Sequence, residues 1–335
     1  MMLAVVALAA TLSGSVHADA LELTRYEYTE YHMGVDVRIV VYTENKEKAE
    51  KAVSAAFERF AQLDTIMSDY RADSELMQLC AKAGGPPVRT SKELTKVLAH
   101  AQELSRRSQG AFDITCSPSV RLWRTARKSH ILPTEAQIAA AVNLTGWQKL
   151  QVNARKHTAR LAQQGMLLDL GGIGKGFAND EAQKVLKHFG IRCALVEAGG
   201  DIVVTNAPPG TRGWRIQAQI HNNELPSLDP QDPRVMLLSN CSISTSGDTE
   251  QFVDIGGQRF SHIVNPLTGR ALTNRIAVMV IAPTGIVTDG LTKPVSILGV
   301  EKTRDLVSTY PGAHVWIGFD RGDEKPTPRG DQRAP

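Results

Sequence analysis

The sequence predicts an α+β fold with antiparallel pairing, on three observations. Helical periodicity is concentrated before Leu150, and short apolar runs separated by Gly, Pro and Asn dominate after it. Neither half shows the regular strand-helix alternation of a doubly wound parallel sheet. After a linker-like start, Val37, Ile39 and Val41 alternate with more polar neighbours in DVRIVVYT, as in a strand. Asn45 opens a different period, in which Ala49, Ala52, Val53, Ala56, Phe57, Phe60, Leu63 and Met67 form the stripe of an amphipathic helix. GGPP, from Gly84 to Pro87, breaks the chain. Thr90 with Glu93 reads as the capping box of a second helix, with Leu94, Val97, Leu98, Ala101 and Leu104 on one face. A third helix is predicted from Thr134, after Pro133. GMLLDL, CALVEA, DIVV, WRIQAQI, IAVMVIA and HVWIGF then read as strands, and no internal repeat is visible.

The 335 residues carry 38 Lys and Arg against 35 Asp and Glu, a net charge of +3 that is too balanced for an electrostatic footprint on nucleic acid. Hydrophobic residues make up 42% of the chain, enough for a sizeable core. The opening MMLAVVALAATLSGSVHADA holds an apolar run from Leu3 to Leu12, small residues, and Val16-His17-Ala18 before Asp19. This is the pattern of a secretory signal over residues 1–18, cleaved after Ala18, although no basic residue precedes the apolar run. The run is too short for a membrane span and no second long one follows, so the mature chain is expected to be periplasmic, without a span. No Cys follows the run to accept a lipid. Cys80, Cys116, Cys193 and Cys241 stand singly, without the spacing of a zinc site or a redox pair. They read as free buried thiols, with disulfides among them left open. The tail RGDEKPTPRGDQRAP, residues 321–335, has almost no apolar residue and is expected to be disordered, which leaves one domain over 19–320.

Chemistry is concentrated in a few turns. DLGGIGKGFAND, from Asp169 to Asp180, runs from an apolar segment through glycines around Lys175 into a helical pattern. Glycines admit close backbone approach, helix-start N–H groups point outward and Lys175 adds a charge, so this is a place for anionic groups. Its spacing is neither that of a P-loop nor that of a dinucleotide fingerprint. EAGGDI sets Asp201 beside two glycines, and SISTSGD offers hydroxyls and a backbone bend. SHIVNPLTG places His262 in a short apolar strand that ends in an Asn-Pro turn closed by Gly269; a lone His there is more often a satisfied core residue than a catalyst. Asp289 lies in an otherwise apolar helix start, where a bare carboxylate is too costly and must be paired, metal-bound or hydrogen-bonded.

In this order the segments resemble the ApbE-type flavin transferases, which move FMN from FAD onto a protein hydroxyl. The matching elements are Met33-Gly34, MSDYRADSEL, GAFDIT, DLGGIGKGFAND, AGGDI, STSGD, SHIVNPLTG and the Asp289 segment, spread over roughly residues 31 to 300. The resemblance implies a single ApbE-like domain with mixed or antiparallel sheets and flanking helices, similar to a T-fold. It implies that Met33, Tyr70, Ala111, Phe112, Asp113, Lys175 and Ile263 line the FAD site, and that His262 takes the proton of the acceptor hydroxyl. Asp289 and the Gly172 carbonyl match magnesium ligands. The chain departs from the pattern where the family usually has a Thr ligand four residues after the Asp: here that position is Lys293, with Thr292 one step earlier. Either Thr292 substitutes and Mg²⁺ is kept with altered ligation, or the Lys293 ammonium takes the place of the ion. The implied function is an exported, Mg-assisted FAD:protein FMN transferase that acts on a Thr or Ser of a periplasmic or membrane redox protein and releases AMP. Two other classes stay open: a non-catalytic periplasmic FAD-binding protein, and a hydrolase splitting FAD to FMN and AMP.

Overall fold

Alternating apolar positions generate one seven-stranded antiparallel sheet in which the strands lie side by side in chain order. They are β1 (Thr24–His32), β2 (Val35–Thr43), β3 (Cys193–Ala198), β4 (Asp201–Val204), β5 (Cys241–Gly247), β6 (Ile276–Ala282) and β7 (His314–Phe319). The computed structural model describes residues 22–218, 220, 228–247 and 252–319. The expected signal, the tail and Asp248 lie outside the described residues. Between β2 and β3 run α1 (Lys46–Met67), α2 (Glu75–Ala81), α3 (Lys92–Arg107), α4 (Ser117–Ser129), α5 (Glu135–Asn143) and α6 (Gly174–His188). Between β6 and β7 run α7 (Gly285–Leu298) and α8 (Val300–Ser308).

Side chains on a strand alternate between faces, so the sheet separates two cores. Val37, Ile39, Val41, Ala194, Val196, Ala198, Val278 and Val280 face the helices, where the stripe of α1 meets them. Val40, Leu195, Val204, Ile243, Met279 and Ile281 pack on the other face, against Trp214, Ile216, Met236 and Leu238 of a small second sheet. A third cluster joins Trp123 and Ala126 of α4 to Val253, Phe260, Val264 and Ala271, which lie on two short hairpins. Fully burying each large side chain of the α1 stripe, such as Phe60 or Leu63, contributes about 1.5–3 kcal/mol.

Several local expectations need correction. The segment before Val35 is no linker: β1 pairs along β2 through a turn in which Met33 and Gly34 both have positive φ, 50° and 81°. The helix predicted from Thr90 is capped by Ser91, whose hydroxyl accepts from Leu94 N–H at 3.1 Å. Thr90 instead pairs its hydroxyl with Thr95 at 2.8 Å, and Glu93 pairs with Arg59. GMLLDL is not a strand, because its donors go elsewhere: Leu168 N–H to Cys80 Sγ at 3.3 Å and Asp169 N–H to the Ile114 carbonyl at 2.8 Å. SISTSGD is no bend up to Gly247; Cys241–Gly247 is the interior strand β5. Asn45 and Thr134 do cap α1 and α5, the latter with Gln137 completing a capping box. All four cysteines are free.

Candidate functional site

The register places the Met33–Gly34 and Gly199–Gly200 turns at one end of the sheet. At that end the glycine segment 171–173 leads into α6, whose N-cap, Ile173, offers no side-chain acceptor. The acceptor comes from α7: Asp289 Oδ2 takes the Gly176 N–H at 3.1 Å. In return, Asp180 of α6 accepts the Gly285 and Ile286 N–H groups of α7 at 2.7 and 3.0 Å. Each carboxylate thus sits at the positive end of the other's helix. The exchange requires the helices to touch backbone to backbone. A Cβ on Gly176 would stand 2.5 Å from the Gly285 carbonyl carbon and 2.8 Å from Asp289 Cβ, so only glycine fits.

Around this contact four charges interleave. Lys175 Nζ lies 3.1 Å from Asp201 Oδ2, and Lys293 Nζ lies 3.2 Å from Asp289 Oδ1 and 2.9 Å from Thr292 Oγ1. Asp289 is fully buried, whereas Lys175 and Lys293 keep 22% and 21% of their side chains exposed. Burial disfavours the Asp289 charge, but the two ammonium groups and the Gly176 N–H outweigh it and hold that carboxyl below the usual range. Burial, helped by the Asp289 charge, pushes Asp201 up despite its lysine partner. Burial also disfavours the Lys175 ammonium, but Asp201, Asp289 and Asp169 overcome it and keep the group protonated. The Ser242 and Ser244 hydroxyls of β5 bond Thr288 at 2.8 and 2.9 Å, which pins α7 to the sheet beneath the charges.

Apolar groups flank the cluster. The Lys293 stem lies against Gly172, where a Cβ would meet Lys293 Cγ at 3.1 Å and Phe112 Cε2 at 3.6 Å. Met33 Cε stands 3.8 Å from the corresponding point on Gly174. Ala111 and Phe112 are buried in their turn, and Asp113 accepts from the Thr115 N–H and hydroxyl at 2.8 and 2.7 Å. Burial raises Asp113 above the usual carboxyl range. Six expected residues thus converge with Lys293: Met33, Phe112, Gly172, Lys175, Asp289 and Thr292.

Tyr70 does not join them. It is 80% exposed at a cleft of about 380 Å³ lined also by Asp69, Ala72, Met77, Arg121 and Arg124. The Arg124 guanidinium lies 4.7 Å from the Tyr70 ring centre and bridges Asp69 to Asp169, the latter at 2.7 Å. Asp169 in turn accepts the Gly171 N–H at 2.7 Å, so this ion-pair chain connects the Tyr70 loop to the glycine turn. His262 is half-buried in a bend between the strands Gln258–Ser261 and Val264–Asn265, and Ile263 is buried with its N–H on Ser261 Oγ at 3.2 Å. Their loop is tied down by Trp123, whose Nε1–H donates to the Gly269 carbonyl at 2.8 Å. Leu267 reaches toward Gly110, 3.3 Å from where a Cβ would stand. Asp69 and Ser244 lie in the quoted MSDYRADSEL and STSGD segments but carry no individual role in the sequence reading, and Arg124 and Thr288 carry none either. No spacing in the sequence marks them, because each acts on a partner distant along the chain or across the sheet.

The donor set does not fit a divalent ion as it stands. Both Asp289 oxygens are committed, one to Gly176 and one to Lys293, and the Thr292 hydroxyl donates to the Asp289 carbonyl at 2.8 Å. Lys293 holds the point where Asp289 and Thr292 converge. Among the described residues, no group of three or more His, Cys, Asp or Glu is placed to hold a metal.

The sequence pattern of the ApbE family matches residues 33–317. The FAD:protein FMN transferase of Treponema pallidum is 29% identical over 305 residues, 88% of this chain and 84% of the relative. That of Salmonella typhimurium is 30% identical over 249 residues, 73% of this chain and 70% of the relative. Among solved structures, the apo form of the flavinyl transferase ApbE from Pseudomonas stutzeri has a TM-score of 0.77 at 26% identity, covering 91% of this chain and 94% of that one. The ApbE protein of Thermotoga maritima has a TM-score of 0.74 at 26% identity, covering 88% and 94%.

Proposed function

This chain belongs to the ApbE family, and on that premise we propose that it is an FAD:protein FMN transferase. The observation that carries the reading is the pairing of a cationic α6 start with an apolar flank. Lys175, Lys293 and a helix N-terminus without its own cap can receive a diphosphate, while Met33 and Phe112 beside them suit a flat ring. In the reaction the hydroxyl oxygen of an acceptor Thr or Ser attacks the FMN-side phosphorus. The bond from that phosphorus to the bridging oxygen breaks, and AMP leaves with the bond pair. The hydroxyl proton passes to a ring nitrogen of the His262 imidazole, which acts as the general base. Lys175, Lys293 and the α6 dipole stabilise charge developing on the phosphoryl oxygens. The acceptor is a flavoprotein of a periplasmic or membrane redox system, and the chain reaches it by export through the 1–18 signal.

The test is denaturing electrophoresis of an acceptor domain after incubation with this protein and FAD. Flavin fluorescence should stay with the acceptor band, and should vanish when the acceptor hydroxyl is removed or His262 is replaced by Ala. FAD consumed to FMN and AMP with no labelled acceptor would assign a hydrolase instead. FAD bound but unchanged would assign a binding protein.

A further inference from the structure

Lys293 stands one helical turn after Asp289 on α7 and folds back over it, with its ammonium 3.2 Å from Asp289 Oδ1 and 2.9 Å from Thr292 Oγ1. These are the two side-chain oxygens that would otherwise be shared by a divalent ion. The second Asp289 oxygen is held by the Gly176 N–H, and the Lys293 stem covers Gly172. A single positive charge, covalently tethered, already occupies the point of convergence. An ammonium has three donors. Asp289 and Thr292 take two, and with 21% of the side chain exposed the third can reach a ligand.

From this geometry we infer that Lys293 is the resident cation of the site, and that together with Lys175 it receives a diphosphate without a divalent ion. The inference rests on the flavin reading above. The ion pairs support it: the Lys175 and Lys293 ammonium groups already partner Asp201 and Asp289, and an added Mg²⁺ would meet an ammonium where it needs an oxygen. Removing Lys293 inverts this. Two carboxylates would then face one ammonium, and Asp289 Oδ1 and Thr292 Oγ1 would be released as oxygen donors, the ligands Mg²⁺ prefers.

The test measures FAD affinity of the full chain by quenching of flavin fluorescence, in EDTA and in MgCl₂. It compares the wild type with Lys293→Ala and Lys293→Met, the latter keeping an unbranched apolar stem. Thermal melting in MgCl₂ without FAD gives a readout independent of flavin. The wild type should bind FAD equally in both buffers. The variants should lose about tenfold or more in EDTA, as expected for a charged hydrogen bond, and recover in MgCl₂. MgCl₂ alone should raise the melting temperature of the variants but not of the wild type. Wild-type binding that requires Mg²⁺, or variants that bind like the wild type in EDTA, would overturn the inference and leave the flavin reading standing. Folded wild type that binds no FAD in either buffer would remove the flavin reading and this inference with it.

Discussion

Replacing Gly176 by Ala adds one methyl group at the point where α6 and α7 exchange caps. The new Cβ would stand 2.5 Å from the Gly285 carbonyl carbon and closer still to its oxygen, with Asp289 Cβ at 2.8 Å on another side. Carbon atoms settle at about 3.5–4.0 Å, so the helices must part by about 1 Å. Overpacking of this kind costs about 1–3 kcal/mol. Parting the helices also stretches three bonds to carboxylates: Gly176 to Asp289, and Gly285 and Ile286 to Asp180. Bonds to charged groups contribute about 1.5–3 kcal/mol each, and weakening rather than breaking them brings the expected total to about 3–5 kcal/mol. Urea unfolding of the protein followed by far-ultraviolet circular dichroism should show the midpoint falling accordingly at unchanged slope. A midpoint shift worth less than about 1 kcal/mol would refute the close helix contact and the reciprocal capping built on it.

Two further variants probe the charges. The folded carboxyl of Asp289 is held below its unfolded value, so its contribution to stability is complete above the unfolded value and is lost as pH falls through the folded one. Asp289→Asn should therefore be less stable than wild type at neutral pH, with the gap closing on acidification; a gap that widens toward low pH would reverse the assignment. Arg124→Met leaves Asp69 and Asp169 without the guanidinium they share, and should cost about 2–4 kcal/mol, the upper range for buried pairs being discounted because Arg124 is partly exposed. Adding Asp69→Asn should restore part of that loss in chemical denaturation, and strict additivity of the two changes would show that the ion-pair chain carries no coupling.

Periodicity made α1 legible to the residue: the stripe from Ala49 to Met67 is the buried set, and Asn45 is the cap. It failed where tertiary partners decide. β1 reads as a linker because TRYEYTEYH is charged and mostly exposed, the composition of an edge strand held by its neighbour's ladder. β5 reads as a loop because Ser242, Ser244 and Ser246 are polar, yet all three are buried and the first two bond Thr288 of α7. GMLLDL reads as a strand because it is apolar, but its N–H groups serve Cys80 and Ile114 rather than a ladder. At the site, the need for a partner at Asp289 was visible from its apolar setting, and Lys293 from its departure from a known pattern. That Lys293 stands at Asp289 is one of the two alternatives the sequence leaves open, and α7 brings the pair together by setting positions four apart on one face.

Whether this site transfers FMN is read from the intact mass of an acceptor domain. After incubation with this protein and FAD, the acceptor should be heavier by one FMN, with one AMP released per modification and neither seen when the acceptor hydroxyl is absent. An acceptor of unchanged mass beside intact FAD bound to the protein would contradict transfer.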